Sequence, residues 1–358
     1  MPVTDQNRAP TPAEILLRPY RLSPELELAN RVVMAPMTRS MAGEGLVPTA
    51  TMAAYYARRA AAGLLISEGA IVRADGQGYP KVPGIFTEAQ VEGWREVTRR
   101  VHAEGGVIFL QLWHVGRVSH PFYLAGELPI APSAVALEGR RPRSGGLEYG
   151  TPRALTPEEI GELVEAFADA AANAVTAGFD GVEIHGANGY LVDQFLHHHT
   201  NRRDDAWGGS PAKMSRFALA VVDAVAARTG PERVGIRLSP GAYNHMEPHA
   251  DDAAVFVHLL EELEKRVLAY VHVGIFDRTM VHENLGGTAE AFLRRHYQGT
   301  LIGCGGFTAA SAARAVAAGE IDLAAFGRPF IANPDLIARI RDGRTLEPYD
   351  PSMLARLD

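Results

Sequence analysis

Short apolar segments recur along this chain, and segments with helical spacing of apolar residues lie between most of them. Each short segment is continuously apolar over a few residues, which is typical of a strand buried on both faces of a sheet. Pro36 closes the first segment, because proline has no N–H to donate to a sheet ladder. We therefore predict eight strands, at residues 30–36, 63–69, 107–113, 181–184, 233–239, 269–273, 300–303 and 321–326.

Helix-start signals precede the longer segments. Thr87 with Gln90, and Thr156 with Glu159, form capping boxes, and Pro157 suits the first helical position. Behind each of these starts, apolar residues recur at a spacing that gives the helix one buried face. We predict helices at 50–61, after Thr87, from Thr156 to Gly178, from Ser210, at 251–265 and after Thr308, with Asn333 and Pro334 capping the last helix.

The alternation of strands and helices predicts a parallel sheet covered by helices. Eight such units favour closure into a barrel over an open doubly wound sheet. We therefore predict an α/β fold, a single (β/α)₈ TIM barrel, formed by one domain over residues 1–358. The Pro-rich segment 1–28 is expected to plug one end. The long irregular region 114–155 is expected to be a lid over the site, since loops of this length usually carry function.

Composition narrows the class of protein. Hydrophobic residues make up 47% and charged residues 22%, which is ordinary for a soluble globular protein. The net charge of −7 gives no basic footprint for nucleic acid. Cys304 is the sole cysteine, which excludes disulfide frameworks and four-cysteine metal or iron–sulfur sites within the chain. No apolar signal core begins the chain and no apolar run reaches membrane length, so we expect a cytoplasmic protein without a membrane partner.

Polar residues collect where the predicted strands end, and in a barrel those carboxyl ends form the active-site face. Glycines after strands seven and eight suit a phosphate, because backbone N–H groups can approach an anion there and an arginine can clamp it. The plainer interpretation is that these are ordinary turn residues that satisfy backbone groups. The set is Thr38, Gln111, His185, Asn188, Tyr190 and Arg237, with Gly303, Gly305, Gly306 and Gly327 beside Arg328.

Six short motifs carry more information together than singly. They are APMTR at 35–39, QLWH at 111–114, HGANGY at 185–190, NRRDDAWGGS at 201–210, GIRLS at 235–239 and AFGR at 325–328. The combination resembles the old yellow enzyme family of FMN-dependent ene-reductases, over most of the chain. The resemblance implies non-covalent FMN, NAD(P)H as co-substrate, and ping-pong reduction of an activated alkene. Hydride would pass to the β-carbon of an α,β-unsaturated carbonyl or nitroalkene, and the α-carbon would be protonated.

The resemblance also implies which residues contact the substrate. His185 and Asn188 would hold the substrate carbonyl, and Tyr190 would donate the proton. Trp113 would line the substrate side of the site. Neutral donors such as His185 and Asn188 can polarise a carbonyl without protonating it, which suits a developing enolate.

A second set of residues is implied to hold the cofactor. Gln111 and Arg237 would bind the pyrimidine edge of the flavin, where a permanent cation suits the negative charge of the reduced ring. Thr38 would hydrogen-bond the ring and tune its electron demand. The remaining contacts are Ala35, Pro36, Met37, His185 and Gly69 at the ring, and Gly305, Gly306, Phe326, Gly327 and Arg328 at the phosphate.

Two histidine-rich segments leave other functions open. A metal-dependent barrel hydrolase is one alternative, and a non-catalytic flavin-binding barrel is another. Because neither segment follows a strand end directly, we favour solvated loops for both and expect no metal. The candidate ligands are His197, His198, His199, Asp204 and Asp205 in the first segment, and His245, Glu247, His249 and Asp251 in the second.

The sequence indicates no separate dinucleotide domain, since no GxGxxG motif opens a helix after a strand. NAD(P)H is therefore expected to use the same site as the alkene. Arg140, Arg141 and Arg143 lie within the proposed lid. They form either a solvated basic turn or a contact for the extra phosphate of NADPH.

Overall fold

The computed structural model describes residues 10–139 and 146–357. The strands are β1 Tyr20–Ser23, β2 Leu26–Leu28, β3 Val32–Met34, β4 Leu64–Ile71, β5 Ile108–Trp113, β6 Ile130–Ala131, β7 Arg153–Ala154, β8 Gly181–Gly186, β9 Val234–Leu238, β10 Tyr270–Val273, β11 Val281–His282, β12 Gly287–Thr288, β13 Leu301–Gly303 and β14 Leu323–Phe326. The α-helices are α1 Pro12–Leu16, α2 Ala50–Ala57, α3 Glu88–Ala103, α4 Pro157–Thr176, α5 Leu191–Leu196, α6 Pro211–Met214, α7 Arg216–Thr229, α8 Asp252–Glu264, α9 Ala289–His296, α10 Ala309–Ala317, α11 Arg328–Ala332 and α12 Leu336–Asp342.

Eight parallel strands close into a barrel in the order β3, β4, β5, β8, β9, β10, β13, β14, and β14 pairs back to β3. Each of these strands coincides with or overlaps a segment predicted from the sequence, so the predicted (β/α)₈ barrel is confirmed. All eight carboxyl ends meet at one rim of the barrel, which we call the C-terminal rim.

Barrel strands bury side chains on both faces, which explains why they are continuously apolar. On β4, Leu65 belongs to the core between the strands and the helices, whereas Leu64 and Ile66 pack inside the barrel. On β5, Leu110 likewise belongs to the core between the strands and the helices, whereas Phe109 packs inside the barrel. Because neither face meets water, the alternation of apolar and polar residues seen in half-exposed strands is absent.

The N-terminal segment closes the opposite end of the barrel. Strands β1 and β2 form an antiparallel hairpin in which Tyr20 pairs with Leu28. Leu22 and Leu28 join the interior cluster that contains Phe109. The Tyr20 hydroxyl lies 2.8 Å from Thr300 Oγ1, immediately before β13. The hairpin therefore forms the predicted plug.

Region 114–155, over the residues that the structure describes, contacts the loop after β9 at the C-terminal rim, and its role as a lid stays a prediction. Its described part contains the short pair β6–β7. Buried Arg117 donates hydrogen bonds to the carbonyl of Val135 within the region and to the carbonyl of His245 in the loop after β9. Arg140, Arg141 and Arg143 lie outside the described residues, so their contact with NADPH stays a prediction.

Two helix predictions were wrong in detail. The helix predicted from Ser210 is interrupted at Ser215, whose hydroxyl lies 2.9 Å from Nδ1 of His258. Asn333 does not cap α12, because its side chain exchanges two hydrogen bonds with the backbone of Glu347. Helix α9 had no predicted counterpart. Within residues 10–139 and 146–357, no helix is long and apolar enough to cross a membrane.

Candidate active site

Three predicted site residues occupy adjacent strands at the C-terminal rim. Gln111 is opposite Glu183 in the β5–β8 register, and His185 is opposite Arg237 in the β8–β9 register. All four are buried. The amide nitrogen of Gln111 donates to Glu183 Oε1 over 2.7 Å. Since a carboxylate only accepts, this bond fixes the orientation of the Gln111 amide and leaves its oxygen and its second N–H for a ligand.

Trp113 is the centre of an aromatic wall. Its ring stacks against Tyr79 at 5.6 Å and against His185 at 6.1 Å between centroids, and Tyr190 meets it edge-on at 5.0 Å. A Cβ on Gly69 would lie 2.6 Å from the Trp113 ring, so glycine is required there for packing. The hydroxyls of Tyr79 and Tyr190 lie 3.0 Å apart. Sequence analysis missed Tyr79, because it lies in an irregular segment well beyond the end of β4.

The turn after β8 holds Asn188 in a defined position. Asn188 and Gly189 both adopt left-handed backbone, with φ of 60° and 75°. The Ser239 hydroxyl accepts the Asn188 N–H over 3.0 Å and lies 3.3 Å from Asn188 Oδ1. Asp193 Oδ2 accepts the Gly189 N–H over 2.8 Å. Bonds from two other segments therefore fix the turn that carries Asn188 and Tyr190.

His185 is a neutral imidazole in this environment. Burial lowers its pKa, and the positive charges of Arg237 and His272 lower it further, to well below its usual range. One ring nitrogen then carries a proton and the other does not. Nδ1 is buried without a hydrogen-bond partner among the described residues. A neutral ring with an unpaired buried nitrogen suits a ligand better than a structural ion pair.

The segment after β3 carries Thr38 and is held by Glu68. Glu68 Oε2 accepts the backbone N–H of Arg39 over 3.1 Å and that of Ser40 over 3.3 Å. Burial raises the pKa of Glu68 to about 7, although these two amides favour its ionised form. The backbone on the carboxyl side of Thr38 is thus anchored to β4.

The ends of the first and last barrel strands meet beside this segment. The N–H of Ala35 donates to the carbonyl of Phe326 over 3.1 Å. Pro36 and Met37 follow directly, and Met37 Sδ would lie 3.3 Å from a Cβ on Gly327. The predicted ring-side residues and the predicted phosphate-side residues therefore occupy neighbouring positions at the rim.

Two glycines after β13 have left-handed backbone, with φ of 109° at Gly305 and 88° at Gly306. A Cβ on Gly306 would meet nothing within 4 Å, whereas one on Gly305 would lie 2.6 Å from the backbone nitrogen of Arg278. Gly303 is different, since a Cβ there would lie 2.7 Å from two buried side chains, which assigns it to packing. Arg328 is an exposed residue whose guanidinium lies 4.4 Å from the ring centroid of Phe276 and 5.6 Å from that of Tyr349.

These residues fit FMN. The amide oxygen of Gln111 and the guanidinium of Arg237 complement the N–H and carbonyl groups of a pyrimidine edge. Arg237 Nε, His185 Nδ1 and Trp113 Nε1 are buried polar atoms without partners among the residues that the structure describes. Such atoms carry a desolvation cost unless a ligand satisfies them. The open backbone at Gly306, after the strand that pairs with β14, and Arg328, after β14 itself, suit a phosphate.

The two histidine-rich segments meet around a buried carboxylate. His197 is fully buried, with Nε2 3.2 Å from Asp193 and Nδ1 2.9 Å from Asp252, so a solvated loop was the wrong interpretation for it. His198, His249 and Asp252 bring ligand atoms within 4.8 Å of one another. Both Asp252 oxygens already accept N–H groups from these histidines, which is the arrangement of an ion-paired helix start.

Comparison with known sequences agrees with this geometry. The profile of the NADH:flavin oxidoreductase / NADH oxidase family matches residues 16–347. The 12-oxophytodienoate reductase 7 of Oryza sativa subsp. japonica is 42% identical over 355 residues, which cover 93% of this chain and 89% of that protein. The flavin oxidoreductase hxnT of Emericella nidulans is 40% identical over 370 residues, covering 96% and 94%.

Solved structures are similar over the same span. Morphinone reductase in complex with tetrahydroNAD superposes with a TM-score of 0.87 at 43% identity, covering 97% of this chain and 94% of that one. The old yellow enzyme homologue from Zymomonas mobilis gives a TM-score of 0.88 at 37% identity, covering 96% of both. A metal-dependent hydrolase and a non-catalytic barrel find no support among these relatives. The chain belongs to the NADH:flavin oxidoreductase / NADH oxidase family, the family of the old yellow enzymes, and is an FMN-dependent ene-reductase that uses NAD(P)H.

Proposed function

We propose that the chain reduces an alkene conjugated to a carbonyl or nitro group, with His185, Asn188 and Tyr190 acting on the substrate. The observation that supports these roles best is the position of His185 and Tyr190 beside Trp113, with Asn188 on the turn between them. The rings of His185 and Tyr190 lie 4.9 Å apart, and Ser239 holds Asn188 on the same turn. These contacts support a site in which the imidazole and the phenol act beside one aromatic surface and Asn188 provides the second donor.

Bound FMN supplies the two-electron chemistry, since a flavin accepts hydride from NAD(P)H and passes it to the alkene. His185 and Asn188 donate hydrogen bonds to the substrate oxygen and stabilise the negative charge that develops there. Tyr190 delivers a proton to the α-carbon. The hydroxyl of Tyr79 next to that of Tyr190 orients the phenol for this transfer.

The cofactor contacts are proposed on the same basis. Gln111 and Arg237 bind the pyrimidine edge, and Thr38 hydrogen-bonds the ring. Trp113 contributes to the substrate side. Further contacts come from Ala35, Pro36, Met37 and Gly69 at the ring, and from Gly305, Gly306, Phe326, Gly327 and Arg328 at the phosphate.

The substrate is proposed to carry a carbonyl group. The relatives are named for 12-oxophytodienoate, morphinone and chanoclavine-I aldehyde. NAD(P)H and the alkene would use one site in turn, which gives ping-pong kinetics. A cytoplasmic location stays a proposal, and it rests only on a composition that is ordinary for a soluble globular protein. The net charge of −7 offers no reason to propose a nucleic acid partner.

Measuring flavin reduction by NADPH and flavin reoxidation by an enone separately distinguishes the proposed roles of His185 and Tyr190. His185→Ala should slow flavin reoxidation by an enone by about 10²–10³-fold, because it removes a donor to the developing oxyanion. Tyr190→Phe should also slow reoxidation, while reduction by NADPH should stay near the wild-type rate, since that step needs no proton from the protein. Stopped-flow absorbance of the flavin measures each half-reaction separately.

A matched control is Tyr297→Phe, which removes the hydroxyl of a buried tyrosine at the opposite end of the barrel. It should leave both rates unchanged. If Tyr190→Phe slowed reduction and left reoxidation unchanged, Tyr190 would be a positioning residue for the nicotinamide instead. If the wild-type enzyme bound FMN but turned over no enone, the proposed substrate class would be wrong.

A further inference from the structure

A chain of buried polar groups runs inside the barrel next to the proposed pyrimidine contacts. Glu183 on β8 and His272 on β10 both point into the interior, and both are completely buried. Gly235 lies between their strands, opposite both Glu183 and Tyr270. A Cβ on Gly235 would lie 2.3 Å from the Tyr270 ring. The missing side chain on β9 thus leaves interior space that Tyr270 and the two polar groups share.

Glu183 uses both oxygens within this chain of groups. Oε1 accepts the amide of Gln111 over 2.7 Å, and Oε2 accepts Nδ1 of His272 over 2.8 Å. The first bond fixes the orientation of the Gln111 amide, whose oxygen can accept the N–H of the proposed pyrimidine edge. Glu183 is therefore a positioning residue for Gln111. Its negative charge, however, lies on the same side of the barrel as the proposed flavin contacts.

His272 lies against a carboxylate, with Nδ1 2.8 Å from Glu183 Oε2, whereas its Nε2 is buried without a hydrogen-bond partner among the described residues. Burial lowers the pKa of His272 and the charge of Arg237 acts in the same direction, but the charge of Glu183, its hydrogen bond to His272 and the side chain of Cys304 together outweigh both, so the pKa is raised. Arg237 lies opposite His272 in the β9–β10 register, and its Nη2 is 3.8 Å from the sulfur of Cys304. Tyr270 is a further ionisable group near Glu183, and burial and the charge of Glu183 raise its pKa well above the usual value, so it stays neutral.

We propose that His272, as an imidazolium, balances the charge of Glu183, so that Glu183 orients Gln111 without cancelling the positive charge that Arg237 presents to the flavin. The proposal rests on the proposed contacts of Gln111 and Arg237 with FMN. Inside a barrel the dielectric constant is low and charges act over longer distances than in water. An unbalanced carboxylate there would oppose the negative charge of the reduced flavin.

The midpoint potential of bound FMN tests this charge balance. His272→Gln keeps a neutral N–H donor for Glu183 but removes the positive charge. In this variant, reduced FMN should lose at least ~10-fold in affinity relative to oxidised FMN, which is a fall of about 30 mV for a two-electron couple. Glu183→Gln combined with His272→Gln removes both charges and should return the potential to near the wild-type value. Equilibrium reduction with a reference dye, followed by absorbance, measures each potential.

The control is His102→Gln, which breaks the surface pair between His102, in the last turn of α3, and Asp180. This variant should leave the midpoint potential unchanged. An unchanged potential in His272→Gln would overturn the proposal. An equal fall in the single and the double variant would also overturn it, because the effect would then come from packing and not from charge.

The charge of His272 is measured independently by ¹⁵N NMR of its ring in the FMN-bound wild-type protein at neutral pH. Both nitrogens should be protonated in the wild type, and one should lose its proton in Glu183→Gln. A neutral His272 in the wild type would overturn the proposal even if the variants failed to fold. Absence of enone turnover alongside a cationic His272 would count against the proposed function only.

Discussion

At the scale of single residues, Glu68 is a buried carboxyl group beside the loop of Thr38, and its ionisation makes the stability of the fold depend on pH. Burial raises its pKa from the usual value to about 7, and the amides of Arg39 and Ser40 oppose this only in part. With the pKa raised in the folded state, the protonated form stabilises the fold. This contribution is present in full below the usual carboxyl pKa of about 4.5 and is lost as the pH rises through 7.

Glu68→Gln should remove this pH dependence, because glutamine does not ionise. Relative to the wild type, the variant should gain on the order of 3 kcal/mol in free energy of unfolding between about pH 4.5 and pH 8. Urea denaturation across this range measures the gain. Exposed Glu165→Gln is the control and should follow the wild-type curve. A constant difference between Glu68→Gln and the wild type at every pH would contradict the prediction.

At the scale of elements, a buried ion cluster joins α5 to α8. Burial lowers the pKa of His197, but the carboxylates of Asp193 and Asp252 more than offset this and raise it to about 10. His197 follows α5 directly, and Asp252 begins α8. Because Asp193 also accepts the N–H of Gly189, the cluster stabilises both the helix contact and the turn that carries Asn188.

His197→Gln should lower the free energy of unfolding by about 3–5 kcal/mol at neutral pH, because two buried carboxylates lose their counter-charge. A raised histidine pKa contributes stability that is complete below about pH 6.5 and is lost as the pH rises through about 10, so the loss should shrink at alkaline pH. Urea denaturation at neutral and alkaline pH measures both effects. His198→Gln, which removes a partly exposed partner of Asp252, should cost no more than about 1 kcal/mol. Equal losses in the two variants would contradict the central role of His197.

At the scale of the whole molecule, closure of the barrel assembles the proposed FMN site. Thr38 follows β3, Gln111 lies on β5, Arg237 on β9 and Arg328 after β14. These positions span almost the whole chain, so the unfolded chain has no such site. A ligand that binds only the folded state raises the apparent stability in proportion to the logarithm of its concentration.

FMN should therefore raise the melting temperature of the cofactor-free protein more than riboflavin does, because riboflavin lacks the phosphate. Arg328→Ala should reduce this difference between the two ligands, while Arg344→Ala, a surface arginine near the C-terminus, should preserve it. Thermal unfolding monitored by circular dichroism at matched ligand concentrations measures the shifts. Equal stabilisation by FMN and riboflavin in the wild type would contradict the assignment of Arg328 to the phosphate.

The sequence by itself determined the fold class and the rim on which the site lies. A strand buried on both faces must be apolar along its length, and eight such segments separated by helices have few ways to pack. His185, Gln111 and Arg237 could be placed at the rim for the same local reason, since each ends or interrupts an apolar segment. Local capping signals were less decisive, as Asn333 shows, because its tertiary bonds to Glu347 replaced the predicted cap.

Only the tertiary structure decided which polar groups face one another. Glu183 appears in the sequence as a single charge within an apolar strand, and its partners Gln111 and His272 lie 72 and 89 residues away. Tyr79 and Ser239 likewise reach Tyr190 and Asn188 from distant segments. Hydrophobic periodicity is a local property that the chain carries before it folds. Hydrogen-bond partners, in contrast, depend on distances between strands, and these exist only once the barrel has closed.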